Sequence, residues 1–89
     1  MSVPNAPLRE AFLRSGLTAH EVCVGADLYV KRASRPKRTA DTTHLERTLG
    51  LKATYGRAGA TPTYRTTAPD ELALRIGDAL CLDPHEIGL

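Results

Sequence analysis

The sequence has no long apolar run and only two cysteines. No run approaches the roughly 18 apolar residues of a membrane-spanning helix. The first seven residues, MSVPNAP, lack the apolar segment of a signal peptide. We therefore expect a cytoplasmic protein without membrane contact. Cys23 and Cys81 each fall at a small, buried position of an expected helix, which predicts reduced core thiols; a disulfide between them is the alternative.

Groupings that carry catalysis or bind metals are also lacking. The sequence contains no glycine-rich phosphate loop, no Ser-His-Asp triad and no Cys-His pair on a rigid frame. Most carboxylates lie at expected helix starts and on outer faces, where capping and solubility explain them. Two pairs, His20 with Cys23 and Cys81 with His85, could place zinc ligands on helical faces, but their spacing does not match a zinc finger. We expect neither an enzyme nor a metal or cofactor site.

Acidic residues are scarce in the middle of the chain. Between positions 28 and 67 only Asp41 and Glu46 are acidic, against nine basic residues, a net charge of +7. The remaining positions hold three basic and eight acidic residues, a net charge of −5, so the overall +2 hides a strong segregation. A basic face of this kind is typical of a phosphate-binding protein. The length of 89 residues predicts a single domain.

Two short helices joined by a glycine turn are predicted near the start, after a loose segment at residues 1–6. One helical stripe is formed by Leu8, Ala11, Phe12 and Ser15. Gly16 should end that helix, and Thr18 with Glu21 has the spacing of a capping box at the start of the next. The second helix should end near Asp27 and carry three small apolar residues inward: Val22, Cys23 and Ala26.

A third helix is predicted over residues 42–49. Asp41 is a good N-cap, Leu45 and Leu49 repeat at helical spacing, and Gly50 is a C-terminal stop. A helix directly after Asp27 is disfavoured, because Pro36 would break it within a turn or two. We therefore expect residues 29–40 to form an expanded basic loop.

The stretch at residues 15–28, SGLTAHEVCVGADL, resembles the opening of the Cro/phage-repressor (XRE-type) helix-turn-helix family. Cys23 stands where that family prefers Ala, and Asp27 where it prefers Gly. Residues 68–89 resemble the closing helices, with an apolar stripe at Leu72, Ala73, Ile76, Gly77 and Leu80 and a capped last turn at Asp83, Pro84 and Glu86. The long middle is similar to the long-loop regulators of actinobacterial phages and prophages. The resemblance implies a mainly α bundle of about five short helices that regulates transcription.

Residues 51–67 allow two interpretations. The segments at 51–55 and 62–67 are rich in Thr and Tyr and flank a Gly-containing turn, which is typical of a β-hairpin that would act as a wing. A flexible loop is the alternative. In a hairpin, Tyr55 and Tyr64 would pair across the strands or stack on bases.

The expected partner is double-stranded DNA, with the third helix in the major groove. Outward or amino-terminal positions of that helix are the candidates for base contact: Thr42, Thr43, His44, Glu46 and Arg47. Basic residues of the loop and the hairpin are the candidates for phosphate contact: Lys31, Arg32, Arg35, Lys37, Arg38, Lys52, Arg57 and Arg65. A solvated helix face and a merely solubilising basic surface are the ordinary alternatives.

Two further questions stay open at this point. The family usually binds as a homodimer, but no extra dimerisation segment is evident, so monomeric or tandem binding is the alternative. A different function is also compatible with the charge pattern. The same basic face would suit a protein-interaction module that binds and inhibits a host protein or the transcription machinery.

Overall fold

The computed structural model describes residues 1–30, 39–54 and 61–89, and these are mainly α-helical. Four α-helices, a closing 3₁₀ helix and a two-stranded antiparallel sheet make up this part of the chain. In order they are β1 (Ser2–Pro4), α1 (Ala6–Ser15), α2 (Ala19–Gly25), α3 (Thr42–Thr48), β2 (Thr67–Pro69), α4 (Asp70–Ala79) and the 3₁₀ helix (Pro84–Ile87). Within the described ranges, no helix is both long and apolar enough to cross a bilayer.

The ends of the first two helices follow local signals in the sequence. α1 ends at Gly16, which has a φ of 73°, in the left-handed region that glycine adopts without strain. α2 begins with a complete capping box, in which Thr18 and Glu21 satisfy each other's backbone amides. Asp27, just past α2, has a φ of 57°. These three predictions from the sequence are confirmed.

α4 lies at the centre of the packing. It contacts α1, α2, both strands and the 3₁₀ helix, while α3 packs against α2. The core is built from one face of each helix, with fully buried side chains that include Leu8, Val22, Cys23, Leu45, Leu49, Ile76 and Ile87. Gly25 lets α2 approach α4, since a Cβ at this position would lie 3.0 Å from the Cβ of Ala79. The capping box predicted at Asp83 and Glu86 is present at the closing turn.

The N-terminus differs from the loose segment that the sequence predicted. β1 pairs with β2 in an antiparallel register that joins Val3 to Ala68, and both side chains are buried. The Met1 carbonyl also accepts a hydrogen bond from the Asp70 amide at 3.2 Å. The burial of Val3 and its pairing with Ala68 keep this segment ordered. The sequence did not predict this because the partner strand lies 65 positions away, and local patterns cannot reveal it.

Cys81 also differs from its prediction. Cys23 is fully buried, as expected, but Cys81 is exposed, and both thiols are free. α4 ends at Ala79, and Cys81 has a φ of 58° in the turn that follows. α4 therefore ends before Cys81, and the buried helical position expected for this residue does not form.

Candidate nucleic-acid interface

α3 is the element on which the predicted base contacts lie. The Asp41 carboxylate accepts a hydrogen bond from the His44 amide at 3.1 Å and so caps the helix, as predicted. Leu45 and Leu49 are fully buried on the inner face. Gly50 follows with a φ of 76° and ends the helix. The structure therefore places a two-turn helix within one residue of the predicted bounds.

The five predicted base-contacting residues are not equally accessible. Thr43 and Arg47, one helical turn apart, are exposed and form the outer edge of α3. Thr42, His44 and Glu46 are half-buried. The Glu46 carboxylate lies 3.7 Å from the Lys52 ammonium. The structure thus joins one predicted base-contacting residue to one predicted phosphate-contacting residue in an ion pair.

A groove of about 560 Å³ runs beside the amino-terminal end of α3. Its walls include three carboxylates, from Asp27, Asp41 and Glu71, together with His44 and Arg75. We call this the acidic groove. His44 therefore faces a region rich in carboxylates, and the sequence offered no signal for it, because Glu71 comes from α4.

Arg75 fixes one wall of the acidic groove to the end of α2. Its Nε donates to the Ala26 carbonyl at 2.8 Å, and its Nη2 donates to the Asp27 carbonyl. These carbonyls lie at the C-terminal end of α2, where a cation interacts favourably with the helix dipole. Arg75 therefore has a structural role between α4 and α2.

Basic residues lie around the opposite, C-terminal end of α3. The Arg9 Nη1 lies 3.5 Å from the Leu49 carbonyl, and a Cβ at Gly50 would lie 2.6 Å from the Arg65 carbonyl. Lys52 follows two residues after Gly50, and Arg47 stands on the last turn of the helix. We call Arg9, Arg47, Lys52 and Arg65 the C-terminal basic cluster. The sequence assigned no role to Arg9, since its neighbour in space lies 40 positions away.

Asn5 holds the framework of this cluster together and was also missed from the sequence. Its side chain is buried, and its amide donates to the Thr48 carbonyl at 2.9 Å and to the Arg65 carbonyl at 2.7 Å. The first carbonyl belongs to the last turn of α3, and the second precedes β2. One side chain thereby sets the position of the Arg65 backbone relative to α3.

The two ends of the predicted basic loop are paired with each other. The Asp41 amide donates to the Leu28 carbonyl at 3.0 Å, and the Val30 amide donates to the Thr39 carbonyl at 2.8 Å. The chain therefore returns at the start of α3 to the place it left at the end of α2. The predicted phosphate contacts between these ends lie outside the described residues: Lys31, Arg32, Arg35, Lys37 and Arg38.

A second segment, the one that follows α3, also has its two ends paired with each other. Thr54 and Thr63 exchange two backbone hydrogen bonds, of 2.7 and 3.1 Å, in an isolated antiparallel bridge. Arg57 and Tyr55, which belong to the predicted turn and first strand of the wing, lie outside the described residues. Thr67, expected to end the second wing strand, instead belongs to β2 and pairs with Pro4. Tyr64 is exposed.

Cys23 lies beneath α3 with a thiol that stays protonated. Burial, and then the negative charges of Asp41 and Glu46, raise its pKa from 9.0 to about 11. A thiol in this state is a core group with little nucleophilic character. Among the described residues, no group of three or more His, Cys, Asp or Glu side chains is arranged to hold a metal ion.

The charges of the described residues contrast with those of the segments between them. The described ranges contain six basic and ten acidic residues, whereas residues 31–38 contribute +5 and residues 55–60 contribute +1.

Comparison with family models, with curated proteins and with solved structures finds no match for this chain.

Proposed function

We propose that the protein binds double-stranded DNA, with α3 in the major groove, and acts as a transcriptional regulator. One observation carries the proposal. α3 lies between two places where distant parts of the chain are hydrogen-bonded to each other: Leu28 with Asp41 before the helix, and Thr54 with Thr63 after it. The strongly basic residues 31–38 connect the two sides of the first pair. A helix with an exposed edge and a flanking cationic segment has the features of a recognition helix with backbone contacts beside it.

The two parts of this interface have different roles. Arg47 on the exposed edge of α3 presents a guanidinium that can donate two hydrogen bonds to guanine O6 and N7, and Thr43 presents a methyl group suited to a thymine methyl. The basic residues of 31–38, with Arg57, Lys52 and Arg65, neutralise phosphates and release counterions, which supplies affinity without sequence information.

The arrangement of α2 and α3 supports a helix-turn-helix of the XRE type with an enlarged connection. The two helices pack together, and the paired ends of residues 28–41 bring the start of α3 back to the end of α2. The resemblance of residues 15–28 to that family points the same way. A regulator of phage or prophage origin without catalytic activity fits both observations.

Two arginine substitutions test the proposal. We predict that Arg47→Ala weakens binding to a selected operator by about 1–3 kcal/mol and relaxes selectivity at one base pair. Arg35→Ala should weaken operator and random duplex alike and lower the salt slope by about one unit. The measurement is the affinity of both variants for both duplexes at several salt concentrations, after selection of the operator from randomised duplexes.

The wild-type titration is the control that decides between DNA and a protein partner. If about five basic residues contact phosphates, the log–log slope against salt should be near −4 to −5. A flat response, or no binding to random duplex at low salt, would contradict the DNA proposal. It would favour a module that binds an acidic host protein or the transcription machinery through the same cations.

A further inference from the structure

The geometry points to an orientation of α3 in which its C-terminal half, not its N-terminal half, approaches the DNA. This inference rests on the proposed function. In it, Arg47 is the main base-contacting residue, and the rest of the C-terminal basic cluster, Arg9, Lys52 and Arg65, binds the adjacent phosphates. The side chains at the N-terminal end, Thr42 and His44, make no base contact.

The charges that line the acidic groove, at the N-terminal end of α3, oppose a phosphate inside the groove. His44 shares the acidic groove with Asp41 and Glu71, so a phosphate at this end of α3 would meet at least two carboxylates. Arg75 also lines the groove, but its guanidinium donates hydrogen bonds to the carbonyls at the end of α2 and is therefore engaged within the fold. The charges that line the groove therefore disfavour a phosphate against the first turn of α3, whereas the basic residues 31–38, whose flanking segments are paired at this end, would contact phosphates outside the groove.

The C-terminal end has the opposite charge and a fixed framework. Four basic residues lie around it, and the Glu46 carboxylate is paired with Lys52, whose side chain stays 54% exposed. Asn5 holds the backbone of Arg65 beside Gly50, and the Arg65 residue is exposed. The other cations of the cluster, Arg9, Lys52 and Arg65, can bind phosphates while Arg47 contacts a base.

This orientation changes the roles of two residues that the sequence had grouped with Arg47. Glu46 orients Lys52 through their ion pair and does not contact a base. His44 lines the acidic groove and lies away from the duplex. Arg9 is added to the phosphate-binding residues. The candidate base contact narrows to Arg47, the exposed residue in the C-terminal half of α3.

Three single-residue variants of the full-length chain test the orientation. Arg65→Ala removes a cation of the cluster, and Arg14→Ala is its matched control, because Arg14 is also an exposed arginine but lies on the last turn of α1. Arg65→Ala should weaken random-duplex binding roughly five- to tenfold at 0.1 M salt and lower the salt slope by about 0.9, whereas Arg14→Ala should change affinity less than about twofold. His44→Ala should leave selectivity among duplexes unchanged.

The outcomes separate this inference from the proposed function. Thermal unfolding first establishes that each variant is folded. If the wild-type chain binds duplex DNA but Arg65→Ala behaves like Arg14→Ala, or His44→Ala alters preference at a base pair, the orientation is wrong and the DNA-binding proposal stands. If the wild-type chain does not bind duplex DNA at low salt, both are wrong.

Discussion

At the scale of single residues, Asn5 links three separate segments of the chain. Its backbone amide donates to the Thr66 carbonyl at 3.0 Å, and its side-chain amide donates to carbonyls of α3 and of the segment before β2. The side chain is 1% exposed, so water cannot replace these bonds. A buried amide with two good acceptors stabilises one arrangement of α3, because any other leaves polar groups unpaired.

We predict that Asn5→Ala lowers the free energy of unfolding by about 2–4 kcal/mol, because two buried carbonyls lose their donor. Asn5→Asp keeps the size of the side chain but turns both donors into acceptors, so it should be at least as destabilising at pH 7. Urea unfolding of both variants is the measurement. An Asn5→Asp variant as stable as the wild type would mean that the amide does not hold the two carbonyls.

At the scale of elements, local signals determine where α3 begins and ends, whereas contacts with distant parts of the chain determine its orientation. The Asp41 cap and the left-handed Gly50 delimit the helix, and both are local features. The close approach of the Arg65 carbonyl to Gly50 is not local. Gly50 is therefore required twice, once by backbone conformation and once by the absence of space for a Cβ.

Gly16 offers a matched comparison for this double requirement. It has nearly the same φ, +73° against +76°, but nothing lies within 4 Å of an added Cβ. Gly16→Ala should cost about 1–2 kcal/mol, the ordinary penalty of a left-handed alanine. Gly50→Ala should cost clearly more, because the added methyl would lie 2.6 Å from the Arg65 carbonyl oxygen. Chemical denaturation gives both values, and equal losses would contradict the close packing around Gly50.

At the scale of the whole molecule, the sheet joins the start of the chain to α4. β1 covers the core with Val3, and β2 leads directly into α4. A domain of this length has a small core, so each buried apolar side chain, Val3 among them, matters for stability. The N-terminal segment should therefore contribute to global stability, although it lies far from α3 in the sequence.

We predict that deletion of residues 1–4 lowers the free energy of unfolding by about 2–4 kcal/mol, from the lost burial of Val3 and the lost strand pairing. Ser2→Ala is the matched control, because Ser2 is exposed on the same strand and its backbone pairing is kept. Thermal or urea unfolding is the measurement. A truncated chain within about 0.5 kcal/mol of the full chain would show that the sheet does not stabilise the fold.

The sequence by itself determined the features that depend on residues a few positions apart. Thr18 and Glu21 cap α2, Asp41 caps α3, and Gly16 and Gly50 end helices, as their spacing indicated. These interactions close within one helical turn, so a local pattern contains both partners. The segregation of charge is likewise a property of the sequence alone.

Tertiary structure decided what depends on distant partners. Asn5 meets carbonyls 43 and 60 positions away, and Arg75 meets one 49 positions away, so no local pattern could reveal either contact. The pairing of β1 likewise joins Val3 to Ala68, 65 positions away, and the exposure of Cys81 follows from the end of α4 at Ala79. The unequal exposure of the α3 residues arose in this way too. Helical spacing gives a residue's direction around α3, whereas the packing of α2 against this helix decides which of those directions remain exposed.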